Sequence, residues 1–342
     1  MSRTLAIVAS VALALLPGAC SRPEPKADTP PAAYFDNSGH ADAWSGGSRM
    51  VEIATPKGKF HVWVKRVGNN PRLKLLLLHG GPGATHEYLE AFDSFLPKEG
   101  VEYYYYDQLG SGNSDAPNDD DLWTIARFVS EVDQVRQAIG GTRDNFCLYG
   151  QSWGGLLAIE YALAHQDQLK CLVISNMMAS VPAYNDYANR VLKPQMDPAS
   201  LKLVEQLEAQ GKTDDPRYMG VLVPQFYEKH ILRRPAAEWP DGVNRGFAHI
   251  NRHLYTLMQG PSELGASGRT ANWDRFADLK RINVPTLVMS GKYDTMDPAY
   301  MARMAQQLPH GELAATNGSH MALYDDQQAY FAKLTAFLRK FR

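Results

Sequence analysis

No excess of one charge runs through this chain: 35 lysines and arginines stand against 37 aspartates and glutamates, a formal net charge of −2. That balance offers no basic surface and excludes nucleic acid as the expected partner. Cysteine is scarce, at three residues. Two of them, Cys147 and Cys171, fall inside apolar strand-like runs and read as small buried core residues; a disulfide between them stays open, because their strands can be neighbours. The apolar run Leu5 to Leu16 is too short to span a bilayer. His86-Glu87 lacks the second histidine of a His-Glu-x-x-His helix, since Glu90 occupies its place, so no metal site emerges. The glycine-rich stretch Asp107 to Ser114 lacks the lysine and helix start of a phosphate-binding loop, which leaves it the role of shaping a site's rim. No repeats are visible, and no motif calls for a cofactor.

Arg3 followed by Leu5 to Leu16 has the pattern of a signal sequence over residues 1–20, and predicts export. Cys20 follows Leu16-Pro17-Gly18-Ala19, which resembles a lipoprotein signal, with Pro17 where leucine is usual. The expectation is a periplasmic protein that meets the membrane only through a lipid anchor at Cys20. Residues 21–49, with Pro23, Pro25, Pro30 and Pro31, read as an extended tether with little to bury.

The rest, 44% hydrophobic over the whole chain, can bury one large core and an inserted smaller unit. Strands are expected at 51–55, 60–67, 73–78, 101–106, 146–149, 171–175, 286–290 and 312–315. Helical patterns alternate with them; the clearest runs through Leu122, Ile125, Val129, Val132 and Ile139 and stops at Gly140-Gly141. Alternation of this kind predicts a doubly wound α/β core with a mostly parallel eight-stranded sheet, over residues 50–175 and 273–342. Between them, over 176–272, the alternation disappears and segments such as 199–210 and 219–234 look helical, which predicts an inserted helical cap.

Residues 150–155, Gly-Gln-Ser-Trp-Gly-Gly, lie between an apolar strand and a helix-like run. Ser152 is at the apex of that turn and is the candidate nucleophile. A serine hydroxyl needs a base, an acid to orient the base, and donors for the oxyanion. Asp294 closes the run Pro285 to Ser290 through Gly291-Lys292-Tyr293 and is the candidate orienting acid; Asp297 competes but precedes Pro298 and reads as a helix start. His320 follows a short strand and the loop Thr316 to Ser319, and leads into the last helix, as the general base should. His40, His61, His165, His249, His253 and His310 read as surface or structural. The glycine-rich run His79 to Gly83 follows another apolar strand, making the N–H of Gly81 one oxyanion donor; the N–H of Trp153, at the positive end of the next helix, is the second.

His79-Gly-Gly-Pro-Gly83, Asp107 to Ser114, Gly150 to Gly155, Gly291 to Asp294 and Asn317 to His320 together resemble the proline iminopeptidases of the α/β-hydrolase fold, serine exopeptidases that release an N-terminal residue. The cap segments Phe226-Tyr227-x-x-His230-x-x-Arg233, Gly260 to Glu263 and Trp273-Asp274 are similar to the branch containing the tricorn-interacting aminopeptidases. The resemblance implies that Glu263 binds the substrate's α-ammonium. Some members carry a second glutamate directly after the triad aspartate, where this chain has Thr295; Glu228 is a possible substitute, against its reading as a solvated helix face. Trp153, Phe226, Tyr227, Tyr255 and Met258 are candidates for an apolar pocket or for cap core. The implied substrates are short peptides or amino-acid amides with a free N-terminus. An amidase or esterase of the same fold, and a catalytically silent envelope binding protein, are the competing readings.

Overall fold

The computed structural model describes residues 47–70 and 72–342. The expected signal sequence, Cys20 and the tether up to residue 46 lie outside the described residues. Eight strands form one sheet: β1 (Ser48–Thr55), β2 (Gly58–Val67), β3 (Lys74–Leu78), β4 (Glu102–Tyr106), β5 (Phe146–Gln151), β6 (Cys171–Ser175), β7 (Thr286–Gly291) and β8 (Gly311–Thr316). Their spatial order is β1-β2-β4-β3-β5-β6-β7-β8. The first two pair antiparallel, β2 joins β4 antiparallel, and every later pairing is parallel. The tether therefore ends earlier than residue 49, because Ser48 and Arg49 already pair with Lys65 and Val64.

Strands β3 to β7 are buried throughout, as a parallel sheet covered on both faces requires. Their side chains alternate between two core layers. Leu76, Leu78, Tyr104, Tyr106, Leu148 and Ile174 meet the layer of helices α1 (Ile125–Ala138) and α2 (Trp153–His165). Leu75, Leu77, Tyr103, Tyr105, Tyr149 and Val173 face the other layer. Helix α1 begins where the Thr124 side chain accepts from the Arg127 N–H, so Leu122 sits before the helix; the chain leaves it through Gly140 at φ 68°.

Cys147 and Cys171 form a disulfide, which corrects their reading as unpaired core residues. The cause is register: β5 and β6 are neighbours that place these two residues opposite each other, with Cα atoms 4.6 Å apart, inside the range a disulfide bridges.

Between β6 and β7 the chain is helical: α3 (Val181–Tyr187), α4 (Pro198–Ala209), α5 (Pro216–Leu222), α6 (Asp241–Ala248) and α7 (Arg252–Met258). The helix expected over 219–234 is instead α5 continued by a wider π-type segment, Val223–Ile231. Pro224 lacks the N–H that an α-helical ladder needs, and the turn widens there. After β7 come α8 (Pro298–Gln307), α9 (Ala322–Asp325) and α10 (Gln327–Leu338). The C-terminal ends of β3, β5, β6, β7 and β8 therefore open beneath the cap, and the residues at those ends build the site.

Candidate active site

Ser152 directly follows β5, where the chain turns from strand to helix. Its backbone is left-handed, φ 56°, a strained conformation for a residue with a Cβ. Close packing imposes it. A Cβ on Gly150 would lie 2.0 Å from the Gly154 carbonyl oxygen, and one on Gly154 only 2.2 Å from the carbonyl oxygen of Leu78. Only glycine at both positions lets α2 press against β3 and set Ser152 at the helix's positive end.

Asp294 and His320 come from the loops after β7 and β8. The His320 Nδ1 lies 2.8 Å from Asp294 Oδ1. Asn176 donates to the other carboxylate oxygen at 2.6 Å, and the Met296 N–H to Oδ1 at 3.1 Å. The Asp294 carboxylate so held accepts a hydrogen bond from Nδ1–H and leaves His320 Nε2 free to act as a base. Burial works to lower the His320 pKa, but the Asp294 charge and hydrogen bond, with help from Glu263, hold it above the ordinary histidine value. Asp297 instead accepts from the Ala299 N–H at 2.9 Å and caps α8.

Two loops meet beside the serine. The Gly80 N–H donates to Tyr88 at 2.7 Å, while Gly81, at φ 111°, presents the next N–H of the loop. Trp153 is the first residue of α2, so its N–H has no intrahelical acceptor. The Trp153 indole donates to Gln108 Oε1 at 2.9 Å. Gln108 in turn donates its backbone N–H to His79 Nε2 and its side-chain amide to the His79 carbonyl, both at 3.1 Å. Gln108 therefore ties the loop bearing Gly81 to the start of α2. His79 must then carry its proton on Nδ1, which faces the Gly80 carbonyl at 2.8 Å, and burial pushes its pKa down to about 4. Asp107 is buried; burial alone would raise its carboxyl, but hydrogen bonds from His86 and Asn113 and the nearby imidazoles hold it below its usual value.

The cap is hydrogen-bonded to these loops. His230 Nδ1 donates to the Tyr293 carbonyl at 2.9 Å, and its own carbonyl accepts from the His320 N–H at 2.9 Å. The Ile231 carbonyl accepts from Met321 N–H at 2.9 Å and Ser319 Oγ at 2.8 Å.

Above Ser152 lies a cavity of about 340 Å³, lined by Gly81, His320 and Glu263 and walled by the cap. Glu263 sits deep in the protein yet opens onto this cavity. The Tyr255 hydroxyl donates to its carboxylate, the Tyr184 hydroxyl to its carbonyl, and its N–H donates to the Tyr227 oxygen at 3.2 Å. Burial raises the Glu263 pKa, the His320 charge and the Tyr255 hydrogen bond oppose the rise, and the net shift is upward. Thr295 does not face this pocket: its hydroxyl is 3.3 Å from both Asp294 Oδ1 and His320 Nδ1. Glu228 accepts from the Ala236 N–H at 2.7 Å and does not line the cavity.

Of the expected pocket residues, Tyr227 and Tyr255 line the cavity; Trp153, Phe226 and Met258 are buried in the cores beside it. Sequence reasoning missed Tyr88, Trp239, Phe247, Ile250 and Arg252 on its wall. Only Tyr88 carried a signal, lying shortly after the His79 loop; the cap residues have no spacing that distinguishes cavity from core.

Comparison with known proteins agrees with this geometry. The alpha/beta hydrolase fold family matches residues 75–201. A proline iminopeptidase of Flavobacterium johnsoniae is 52% identical over 290 residues, covering 84% of this chain and 97% of that protein. One from Elizabethkingia meningoseptica is 50% identical over 293 residues, covering 85% and 97%. Among solved structures, the proline iminopeptidase of Mycobacterium smegmatis superposes with a TM-score of 0.75 at 27% identity, over 86% of this chain and 98% of that one. Identity of this extent, reaching from the strained serine turn through the cap, places the chain in the proline iminopeptidase family of the α/β-hydrolase fold.

Proposed function

We propose that the protein is a serine exopeptidase that removes an N-terminal residue, preferentially proline, from short peptides. Ser152 attacks the first peptide carbonyl as His320 Nε2 takes its proton. The N–H groups of Gly81 and Trp153 stabilise the oxyanion, each contributing about 2.7–4 kcal/mol as such donors do. The C–N bond then breaks, His320 returns the proton to the departing amine, and water activated by the same imidazole hydrolyses the acyl-enzyme. Asp294 fixes the imidazole tautomer and offsets its charge.

The observation that carries the reading is Glu263, a carboxylate set among three tyrosines in the same cavity as Ser152. A half-buried acid whose ionised form is disfavoured by its surroundings is well matched to an entering ammonium group, which restores the charge balance. With Thr295 turned toward the triad, that site has one fewer carboxylate than in some relatives of the fold, and this favours a second reading, hydrolysis of amino-acid amides or esters. Rates on prolyl-β-naphthylamide, prolinamide and an N-blocked p-nitrophenyl ester separate the two: the exopeptidase reading requires the free-amine arylamide to be the best substrate and fails if the blocked ester is.

We also propose that the protein is exported to the periplasm and anchored through a lipid on Cys20. The signal-like residues 1–20 support this, and so does the Cys147–Cys171 disulfide, a bond that persists in oxidising compartments. Metabolic labelling with a palmitate analogue should mark the wild type and not Cys20→Ala; an unlabelled wild type refutes the anchor.

A further inference from the structure

Two exposed charges on the cavity wall, Arg252 and Asp214, make no hydrogen bond or ion pair among the described residues. Arg252 opens α7 and is exposed at the mouth of the cavity that holds Ser152 and Glu263. Among the described residues it makes no hydrogen bond or ion pair, whereas its neighbours are engaged: His253 contacts Asp120 at 2.7 Å, and Arg269 donates to the Asp120 carbonyl at 2.6 Å. Arg252 is one helical turn before Tyr255, whose hydroxyl holds the Glu263 carboxylate. Residues three apart lie on the same helix face, about 4.5 Å apart along the axis. One face of α7 thus carries both the exposed Arg252 and the tyrosine that holds the Glu263 carboxylate. Tyr227 senses both: burial and the Glu263 charge raise its phenol pKa, and the Arg252 charge opposes the rise.

Much of the rest of the wall is apolar, with Val223, Trp239, Val243, Phe247 and Ile250. An extended peptide advances about 3.3–3.6 Å per residue, so a di- or tripeptide places its carboxylate about 7–11 Å from its ammonium group. At about 340 Å³ the cavity is at the small end of ligand pockets, which run from about 300 to 1,000 Å³.

We propose that Arg252 binds the free C-terminal carboxylate of di- and tripeptides, so that the enzyme measures its substrate between two opposite charges and prefers short peptides with an apolar second residue. This inference rests on the exopeptidase reading above. A guanidinium pairs with a carboxylate through two parallel hydrogen bonds. A longer peptide would carry its carboxylate past Arg252 and lose that contact.

The test compares prolyl-leucine with prolyl-leucinamide, which differ only in the terminal charge. In the wild type the ratio of kcat/KM, acid over amide, should exceed that of Arg252→Ala by about 5- to 10-fold, the effect of a partly solvated charge contact. The difference should lie in KM, shrink as salt is raised, and be only partly recovered in Arg252→Lys, which keeps the charge and loses the paired hydrogen bonds. Asp214 also lines the cavity and is exposed; if Arg252 served instead to latch the mouth to it, Asp214→Asn and Arg252→Ala would lower both substrates alike and leave the ratio unchanged. An unchanged ratio in an enzyme that cleaves both peptides overturns the inference alone. A wild type that cleaves neither overturns the exopeptidase reading and this inference with it.

Discussion

Replacing Glu263 with glutamine removes one charge from the cavity floor and almost nothing else. The amide oxygen can still accept from Tyr255, and the backbone contacts with Tyr184 and Tyr227 do not involve the side chain. A charge-assisted contact to an ammonium is worth about 1.5–3 kcal/mol, so kcat/KM for prolyl-β-naphthylamide should fall by about 10- to 100-fold, while an uncharged acetate ester loses little. The same charge also acts on the base. Glu263 is one of the groups that hold the His320 pKa up, and burial pulls it down. Removing the anion must therefore lower that pKa. On the neutral ester, the wild-type rate should fall on acidification with a midpoint above the ordinary histidine value of about 6.5, and in Glu263→Gln that midpoint should move to lower pH. Stopped-assay rates on both substrates from pH 5 to 9, with a melting curve for each protein, measure all of this. A parallel loss on both substrates with lower stability, or an acid limb that stays put or moves up, would refute the role given to Glu263.

Ser152→Ala should abolish turnover and labelling by a fluorophosphonate without loss of fold, since the serine side chain supplies no cap to α2; ordinary rates in that variant overturn the mechanism. Asp294→Asn should lower kcat by about 10⁴-fold through a misoriented imidazole, whereas Asp297→Asn, which keeps a good helix cap, should cost little in rate. Comparable losses at both positions would reverse the assignment. Replacing Cys147 and Cys171 together with alanine removes a crosslink with a sequence separation of 24 and should lower stability by about 3 kcal/mol in denaturant titrations, as loop-closure entropy predicts; an unchanged midpoint would count against the bond.

The sheet was legible because its central strands are apolar blocks, and the helices between them have their own period. The serine turn was legible for the same reason that it is strained: a Cβ on Gly150 or Gly154 would lie under 2.5 Å from neighbouring backbone, and a position that only glycine can fill leaves a motif. Asp294 and Asp297 were separable because proline follows only the second, and the structure does place Asp297 on a helix cap. The disulfide was undecided because register between parallel strands joined by a whole helix is written nowhere in the local sequence. The cavity wall was hidden for a related reason. Phe226 and Tyr227 are adjacent on one segment, yet only the second lines the cavity; which side of a short cap helix faces inward depends on how the helices stack, and tyrosine serves equally well in either place.

The hydrogen bonds from residues 230 and 231 to residues 319–321 mean that the cap is part of the frame that aims the base. A cap that swung away as a hinged cover would break the contacts that fix the imidazole. A cap held in this way favours a fixed route for peptides over a cycle of opening and closing, so that the residues lining the cavity would set what is admitted. For the same reason, grafting a foreign cap onto this core would disarm the enzyme before it changed its preference, whereas exchanging single side chains around the cavity would retune the preference and leave the machinery aligned.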